Sequence, residues 1–215
     1  MIRNILLFVI PFTLIISSCN LDYKHDKEIH YNNDYFPIQK GNVWEYYSNK
    51  YSKIICVKNA IQRDNYKYYL FEERKVYDGV TGPALSRLLR CNKQKNIEVI
   101  KYGHNKWFDS DKPQVIWYKF DANIGESWVS WDSSGNISVN GNKTHVYKIT
   151  LLSKTDTVVT KDTTFTNCYK FFIDDVYSSD DEYIEWFAKD VGLVKRSSAY
   201  NFNSGILLRT YKVAK

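Results

Sequence analysis

The four cysteines are the residues in the sequence whose side chains could most clearly take part in chemistry. Cys19 directly follows an apolar N-terminal segment, whereas Cys56, Cys91 and Cys168 lie further along the chain. A cysteine thiol can be acylated, can form a disulfide or can bind a metal. Because the sequence contains no Cys-x-x-Cys pair, neither a redox motif nor a zinc knuckle is expected.

The N-terminal segment has the organisation of a secretory signal. Arg3 supplies the positive charge, residues 5–16 form an apolar run, and two serines precede Cys19. The run is too short for a transmembrane helix, which needs about 20 apolar residues, and Pro11 interrupts it. We therefore predict that residues 1–18 are a cleaved signal peptide.

The end of this signal, Ile16-Ser17-Ser18-Cys19, resembles the bacterial lipobox. The resemblance implies that the Cys19 sulfur is diacylated and that the new amino group also carries an acyl chain such as palmitate. Two or three acyl chains give a stable anchor, since each buried CH₂ contributes about 0.8 kcal/mol. The next residue is Asn20 rather than Asp, which by the enteric rule favours the outer membrane. We expect a lipid-anchored protein of the cell envelope.

A polar tether and one larger domain are expected to follow the anchor. Residues 20–34 are polar and charged, and His25 and His30 within them are expected to be solvated rather than bound to a metal. We assign residues 19–34 to the lipidated cysteine and a flexible tether, and residues 35–215 to a single all-β domain.

The domain has the composition of a β protein. The chain contains 18 Tyr, 11 Phe and 6 Trp but one Met, and aromatic residues favour strands. Turn signals separate short strand-like runs at 43–48, 51–59, 66–77, 84–91, 97–102, 114–120, 137–139, 144–152, 155–160, 164–173, 182–188, 193–200 and 205–213. This series predicts antiparallel strands in a curled sheet, closed as a barrel or half-barrel or folded as a sandwich.

A phrase of the form F-x4-G-x2-W occurs twice, and part of it occurs a third time. Residues 36–44 read FPIQKGNVW, residues 120–128 read FDANIGESW, and residues 187–192 keep the phenylalanine and glycine. Glycine permits backbone angles that other residues avoid, and the tryptophan then begins a new strand. The repetition predicts two similar half-units, at about 35–118 and 119–215.

The tryptophans that end the two phrases, Trp44 and Trp128, are predicted to be buried structural aromatics. Aromatic rings can also bind glycans by stacking. In a β domain so rich in aromatic residues, filling of the core is the favoured interpretation.

Two further phrases frame the domain. The opening is Tyr35-Phe36-Pro37-Ile38 with Gly41 and Trp44-Glu45-Tyr46, and the closing stretch at 186–195 is WFAKDVGLVK. They resemble the "YFP…G..W.Y" opening and "YFA.GVGLVK" ending of uncharacterised Bacteroidetes-type envelope lipoproteins, with Asp190 in place of the usual small residue. The resemblance implies an envelope lipoprotein with an antiparallel β domain and transfers no catalytic residue.

Cys56 and Cys91 are the candidates for a disulfide in an oxidising compartment. Both lie in apolar strand runs in the first half, so adjacent strands could bring them together. Cys168 is then a buried thiol. The alternative is three free thiols, each packed as a small core hydrophobe.

No sequence motif indicates catalysis or a resident metal. GxSxG, HExxH, GxxxxGK[ST] and GxGxxG are absent, and His104 and His145 lie in turns or at strand edges. The acidic stretch 174–182 offers oxygen ligands that suit Ca²⁺, but it lacks the spacing of an EF-hand, and a solvated loop is expected. We predict no catalytic residue, no metal and no cofactor.

Thr157 and Thr163 are weak candidates for modification. Each follows an aspartate in the D-[ST]-[apolar or Thr] pattern of O-glycosylation that is associated with the same bacterial group. The alternative is that both belong to threonine-rich strands beside a turn.

Composition also limits the function. Scattered lysines rather than a basic run carry the net charge of +6, so nucleic-acid binding is not expected. The expected partners are the membrane, through lipidated Cys19, and an envelope protein or glycan. We predict a non-catalytic binding or scaffolding domain. The alternatives are a carrier of an apolar ligand in a β cavity and a hydrolase that uses acidic residues.

Overall fold

The computed structural model describes residues 31–63, 66–103, 115–132, 138–139, 142–143, 145–178, 182–200 and 205–214. Across these ranges every regular element is a β-strand. No helix in them is long and apolar enough to cross a membrane. The predicted signal peptide and Cys19 lie outside the described residues, as does the tether up to residue 30.

Fifteen strands are formed by the described residues, and aromatic and β-branched residues alternate with polar ones along many of them. They are β1 (Val43–Tyr47), β2 (Ser52–Arg63), β3 (Tyr66–Tyr77), β4 (Val80–Thr81), β5 (Leu85–Cys91), β6 (Ile97–Gly103), β7 (Val115–Tyr118), β8 (Ser127–Asp132), β9 (Ser138–Val139), β10 (Asn142–Lys143), β11 (His145–Val159), β12 (Thr164–Asp175), β13 (Tyr183–Ala188), β14 (Gly192–Ser198) and β15 (Gly205–Lys212).

Thirteen of these strands form one antiparallel sheet. Its order is β7-β6-β5-β3-β2-β1-β15-β14-β13-β12-β11-β8, with β4 paired to β3 at one side, while β9 and β10 pair as a separate hairpin. The two ends of the order, β7 and β8, approach each other, and the Trp128 indole N–H donates to the Trp117 carbonyl across the gap at 3.3 Å. The sheet is therefore curled into a nearly closed barrel shape, which is one of the forms that the sequence predicted.

The sheet is built from two six-stranded meanders. In the first half, β1, β2, β3, β5, β6 and β7 are successive neighbours, and in the second half β8 and β11 to β15 are successive neighbours. The β1–β15 ladder joins the halves. The prediction of two similar half-units is confirmed at the level of strand order.

The repeated phrases occupy equivalent places in the two halves. Gly41 has a φ of 93° and its N–H donates to the Val57 carbonyl at 2.9 Å, whereas Gly125 has a φ of 87° and donates to the Leu151 carbonyl at 2.7 Å. Positive φ is the region that favours glycine. Each glycine thus lies in the turn that leads into the first strand of its half.

The tryptophans that end the phrases are buried, with 4% of Trp44 and 8% of Trp128 exposed. Trp44 donates its indole N–H to the carbonyl of Val191 in the second half at 2.6 Å, and Trp128 donates to the carbonyl of Trp117 in the first half. Each half therefore donates one indole hydrogen bond, from the tryptophan of its own phrase, to a backbone carbonyl of the other half.

Aromatic rings fill the centre of the curled sheet. Phe36 and Phe120, which begin the two phrases, each lie with their ring centroids 5.7 Å from that of Phe187. Tyr118 packs on Phe187 at 4.7 Å, and Phe171 lies 5.3 Å from Phe120. Such edge-to-face and tilted pairs stabilise a core beyond the area that they bury.

The predicted disulfide between Cys56 and Cys91 is wrong for this structure, in which both are free thiols. Cys56 lies on β2 and Cys91 on β5, and β3 runs between them. Neighbouring strands are about 4.8 Å apart, so strands separated by a third exceed the roughly 7 Å that a disulfide can bridge. Burial raises the pKa of Cys91 to about 12 and that of Cys168 to about 11, so both thiols pack as small apolar groups.

Candidate functional site

Five charged side chains lie together inside the curled sheet, and we call them the interior charge cluster. They come from strands β2, β3, β5, β13 and β14, and are Lys53, Glu73, Arg87, Glu185 and Arg196. Both halves of the chain contribute. The inner face of a sheet is normally apolar, so a charge cluster there calls for a functional explanation.

Strand periodicity places these charges inside. Side chains two positions apart point to the same face of a strand. Glu73 follows Phe71 by two residues, and Glu185 precedes Phe187 by two residues, and both phenylalanines are buried. Arg87 likewise shares its face with Leu89. The alternation that buries the core residues therefore also turns the charged residues inward.

Glu73 lies between two cations. Its carboxylate is 2.7 Å from Lys53 Nζ and 3.9 Å from Arg87 Nη2. Burial acts to raise the pKa of Glu73, but the positive charges of Lys53, Arg87 and Arg196 outweigh burial and hold the pKa at about 2. Glu73 is therefore a carboxylate at neutral pH.

Lys53 is almost completely buried, with 2% of its side chain exposed. Burial lowers its pKa, and Arg196 lowers it further, against the opposing effect of Glu73, to about 7. Loss of solvation disfavours the charged form of an ammonium group. Near neutral pH, Lys53 therefore changes its charge.

Glu185 is held by the second half of the cluster. It is fully buried, the Arg196 Nε–H donates to its Oε1 at 2.6 Å, and the Tyr118 hydroxyl donates to its Oε2. Burial, together with the negative charge of Glu185, raises the pKa of Tyr118 well above its usual value. Tyr118 therefore stays a neutral donor.

A small cavity adjoins the cluster. Its volume is about 60 Å³, and Glu73, Arg87, Glu185 and Arg196 line one part of it. The remaining wall is mainly apolar and includes Phe36, Trp44, Ile55, Phe71, Leu89 and Trp117. At 10–15 Å³ for each water, the space holds roughly four to six waters.

The second half of the chain provides an internal comparison for the cluster. Tyr46 of β1 faces Lys53 of β2, and Ile55 of β2 faces Glu73 of β3. In the equivalent ladders, Ser130 faces Tyr147 and Ile149 faces Ile173. The positions of Lys53 and Glu73 are thus filled by Tyr147 and Ile173 in the second half. The same local fold forms without these charges.

Arg87 and Glu185 occupy equivalent positions in the two halves of the chain and carry opposite charges. Arg87 faces Phe71 across the β3–β5 ladder, and Glu185 faces Phe171 across the β12–β13 ladder. Phe71 and Phe171 are also equivalent, because Phe71 faces Val57 and Phe171 faces Leu151. Val57 and Leu151 are the residues whose carbonyls accept from the two phrase glycines. The two halves thus present a cation and an anion to the same interior.

The arrangement suits binding of a negative group better than proton transfer. Among the described side chains, the cluster holds three cationic groups and two carboxylates, an excess of one positive charge when Lys53 is protonated. Arginine and lysine donors bind carboxylates and phosphates through charge-assisted hydrogen bonds. Each carboxylate already lies beside a cation.

The individual residues singled out from the sequence are dispersed. Thr157 is exposed on β11, Thr163 is exposed in the turn that follows, and Cys19 lies outside the described residues. In the acidic stretch, Asp175 is buried at the end of β12, and residues 179–181 are not described. In the part of the chain that the structure covers, no three metal-ligating side chains come together.

The base of the predicted tether packs against the domain. The Asp190 N–H donates to the Asp34 carbonyl at 2.6 Å, and the Asn33 side chain accepts hydrogen bonds from the N–H groups of Tyr35 and Phe36. These contacts fix the entry of the chain next to the β13–β14 turn. From residue 33 onward the chain is therefore held against the β-sheet domain.

Comparison with known proteins gives likeness of fold only. The sequence matches no protein-family model and no curated protein. One similar structure is a candidate exported protein with a YmcC-like fold from Bacteroides fragilis NCTC 9343, with a TM-score of 0.49 and 15% identity over 82% of this chain and 98% of that chain. Another is a candidate lipoprotein from Parabacteroides distasonis ATCC 8503, with a TM-score of 0.42 and 12% identity over 85% of this chain and 100% of that chain. A likeness of fold does not transfer function.

Proposed function

We propose that the protein is a lipid-anchored lipoprotein of the cell envelope, in the outer membrane, whose β domain binds another envelope component without catalysing a reaction. The signal peptide and Cys19 support the anchor. The observation that carries the binding role is the interior charge cluster beside a small cavity.

Binding is preferred to hydrolysis because Glu73 is ionised and Glu185 already accepts hydrogen bonds from two side chains. A hydrolase that uses two acidic residues needs one of them protonated as a general acid, with a raised pKa. Glu73 has its pKa lowered to about 2, and Glu185 is fixed by Arg196 and Tyr118. These carboxylates serve to position cations.

A carrier of a large apolar ligand inside the curled sheet is disfavoured by the size and wall of the cavity beside the cluster. Ligand pockets usually have volumes of about 300–1,000 Å³. The cavity beside the cluster has about 60 Å³, and aromatic rings occupy the centre of the sheet. The interior therefore suits a small group rather than a whole lipid.

The anchor is tested by replacing Cys19 with alanine and fractionating the cells. We expect the parent in the membrane fraction, because two or three acyl chains hold it there, and the variant outside that fraction. Cys19→Ser is a second variant with the same expectation. If either variant stays in the membrane fraction as fully as the parent, the anchor assignment is wrong.

The binding role is tested by heating intact envelopes and purified protein in parallel. A component that binds only the folded state raises the unfolding temperature, and the stabilisation grows with the logarithm of its concentration above Kd. We expect a higher midpoint for the parent in envelopes than after purification, and a smaller difference for Arg87→Gln. The matched control is Arg74→Gln on the outer face of β3, where Arg74 pairs with Glu72 at 3.6 Å. Equal midpoints in the two settings would contradict the binding role.

A further inference from the structure

We propose that one end of the curled sheet is a docking surface for the headgroups of anionic phospholipids. It is the end at which the tether meets the domain, and we call it the tether end. The inference rests on the proposed lipid anchor at Cys19 and adds a second contact with the same membrane. It depends on the position of the tether, the distribution of charge and one projecting hairpin.

Contacts with the base of the tether define the tether end. The Asp190 N–H, in the β13–β14 turn, donates to the Asp34 carbonyl at 2.6 Å. The Asn33 side-chain amide donates to the carbonyl of Lys95 in the β5–β6 turn. Because the strands of a meander alternate in direction, every second turn lies at the same end. The C-terminal ends of β2 and β15 and the β11–β12 turn therefore belong to the tether end as well.

Lysines that are scattered along the sequence come together at the tether end. The described segments there are 34–42, 58–62, 66–69, 92–96, 119–126, 153–170, 188–191 and 211–214. They contain 11 lysines and 6 aspartates and glutamates, an excess of five positive charges. At the opposite end, four lysines and arginines are matched by four aspartates and glutamates in segments 48–52, 74–80, 145–148, 174–178 and 182–183. Among the described residues, the excess charge therefore lies on the side of the tether.

The lysines in the turns of the tether end are available to a partner. Lys93, Lys161 and Lys189 are exposed in three different turns, and none of them forms an ion pair with a described residue. Two pairs further back neutralise themselves, since Lys119 lies 3.5 Å from Glu126 and Lys170 lies 3.3 Å from Asp156. The pairing removes equal numbers of both signs, so the excess of positive charge remains.

The β11–β12 hairpin projects from the tether end and carries an apolar residue near its tip. The β8 ladder reaches β11 only as far as Thr150, and the β13 ladder begins at Tyr169 of β12. The strand residues between these points pair only with one another. Val159 is 69% exposed there, two residues before Lys161. An apolar side chain beside lysines suits the boundary between lipid headgroups and acyl chains better than it suits a fully polar partner.

The tether keeps this end near the membrane. The 13 residues from 20 to 32 span at most about 45 Å when fully extended. Attraction between lysines and an anionic lipid surface acts over about 8 Å at physiological salt. The opposite end of the sheet is further away by the length of a strand, about 40 Å for the 12 residues of β3. The tether end is therefore the part of the described domain that an anionic membrane can attract.

The test uses the full-length lipoprotein in two kinds of vesicle, one of phosphatidylcholine and one of equal parts phosphatidylcholine and phosphatidylglycerol. Uncharged N-hydroxysuccinimide acetate modifies accessible lysines, and mass spectrometry gives the rate at each position. We expect Lys93, Lys161 and Lys189 to react at least about fivefold more slowly on the anionic vesicles, and Lys50 at the opposite end to react equally on both. In 1 M salt, where charges act over about 3 Å, the difference should disappear. Equal rates at the three lysines on the two kinds of vesicle would overturn the inference.

Variants locate the surface. The triple variant Lys93→Gln, Lys161→Gln and Lys189→Gln should abolish the slower reaction of Lys95, because each lysine near an anionic surface strengthens association about fivefold. All three side chains are exposed, and circular dichroism checks that the variant folds. The matched control replaces three exposed lysines of the opposite end by glutamine and should keep the slower reaction; these are Lys50, Lys75 and Lys148. Slower reaction of Lys95 in the folded triple variant to the same extent as in the parent would overturn the inference.

The outcomes separate the docking surface from the anchor. Lipoprotein that floats with both kinds of vesicle but shows equal lysine rates refutes the docking surface and leaves the anchor in place. Lipoprotein that floats with neither refutes the anchor, and with it the proposed function. Slower reaction of the same lysines with soluble dextran sulfate, but not with anionic vesicles, would assign the surface to an acidic polysaccharide and overturn the membrane contact.

Discussion

Replacing Trp44 with alanine tests whether the repeated phrase holds the two halves of the sheet together. The ring is 4% exposed and lies 6.2 Å from Phe71 in a stacked arrangement. Its N–H donates to the Val191 carbonyl of the second half at 2.6 Å. The substitution therefore removes both core packing and a hydrogen bond between the halves.

The structure sets the size of the effect. Deleting a large core aromatic costs about 3–5 kcal/mol, and a buried carbonyl that loses its donor costs about 1–3 kcal/mol. Since these terms overlap, we expect Trp44→Ala to lower the free energy of unfolding by about 4–6 kcal/mol. Trp44→Phe keeps a ring beside Phe71 and loses the donor, so it should cost about 1–3 kcal/mol. Trp128→Phe should cost less, because the Trp128 hydrogen bond is longer, at 3.3 Å.

Urea unfolding followed by circular dichroism measures these losses without relying on tryptophan emission. The dependence of the free energy on urea should stay unchanged, so that the shift in midpoint reports stability. Tyr47→Ala is the matched control, because Tyr47 lies on the same strand and the residue is 38% exposed. A loss below about 1 kcal/mol in both Trp44→Ala and Trp128→Ala would refute the structural role of the two phrases.

Three further predictions concern the interior. The pKa of Lys53 is about 7 in the folded protein and 10.5 ordinarily, so the folded state binds fewer protons in that window and stability rises with pH. Lys53→Met should remove about 2 kcal/mol of the rise between pH 7 and pH 9 in urea titrations, and an equal rise in the variant would contradict the assignment. Because burial raises the pKa of Cys91 to about 12 and that of Cys168 to about 11, both should resist iodoacetamide at pH 8 in the folded protein and react in urea. Mass spectrometry checks this, and a peptide linking Cys56 to Cys91 would overturn the free-thiol assignment. Gly192 has a φ of 97°, so Gly192→Ala should cost about 1–3 kcal/mol in thermal or urea unfolding, and an unchanged stability would show that the turn relaxes.

The fold was predictable because its signals are local and repeated. The run 66–77 was predicted as a strand with the bounds that β3 has in the structure. The two phrases indicated that the chain consists of similar halves, and their glycines do adopt positive φ. Aromatic residues and turn residues act over a few positions, so a single sequence contains this information.

One strand was divided in error. The runs 144–152 and 155–160 were predicted as separate strands, but they form the single strand β11. The polar residues Ser153, Lys154 and Thr155 resemble a turn. In the structure, the register with β12 shifts near these positions, so the strand bulges and continues. Register shifts depend on the partner strand and leave little trace in the sequence.

The interior charge cluster was not predicted. Charged residues in a β sequence are normally assigned to the solvent face. The available signal was the phase of alternation, which puts Glu185 on the same face as Phe187. The pairing of Lys53 with Glu73, and of Glu185 with Arg196, depends on strand neighbours that only the topology defines. The disulfide prediction failed for the same reason, because it assumed that β2 and β5 are neighbours.

The two halves exchange indole hydrogen bonds, so they should stay together even when the chain that links them is cut. The first and last strands, β1 and β15, lie side by side, and no ladder joins β7 to β8 among the described residues. A nick in the 121–126 loop would therefore leave every strand pair of the sheet intact. The two fragments would form a split protein that reassembles through the β1–β15 ladder, and a circular permutant opened at this loop would retain the same sheet.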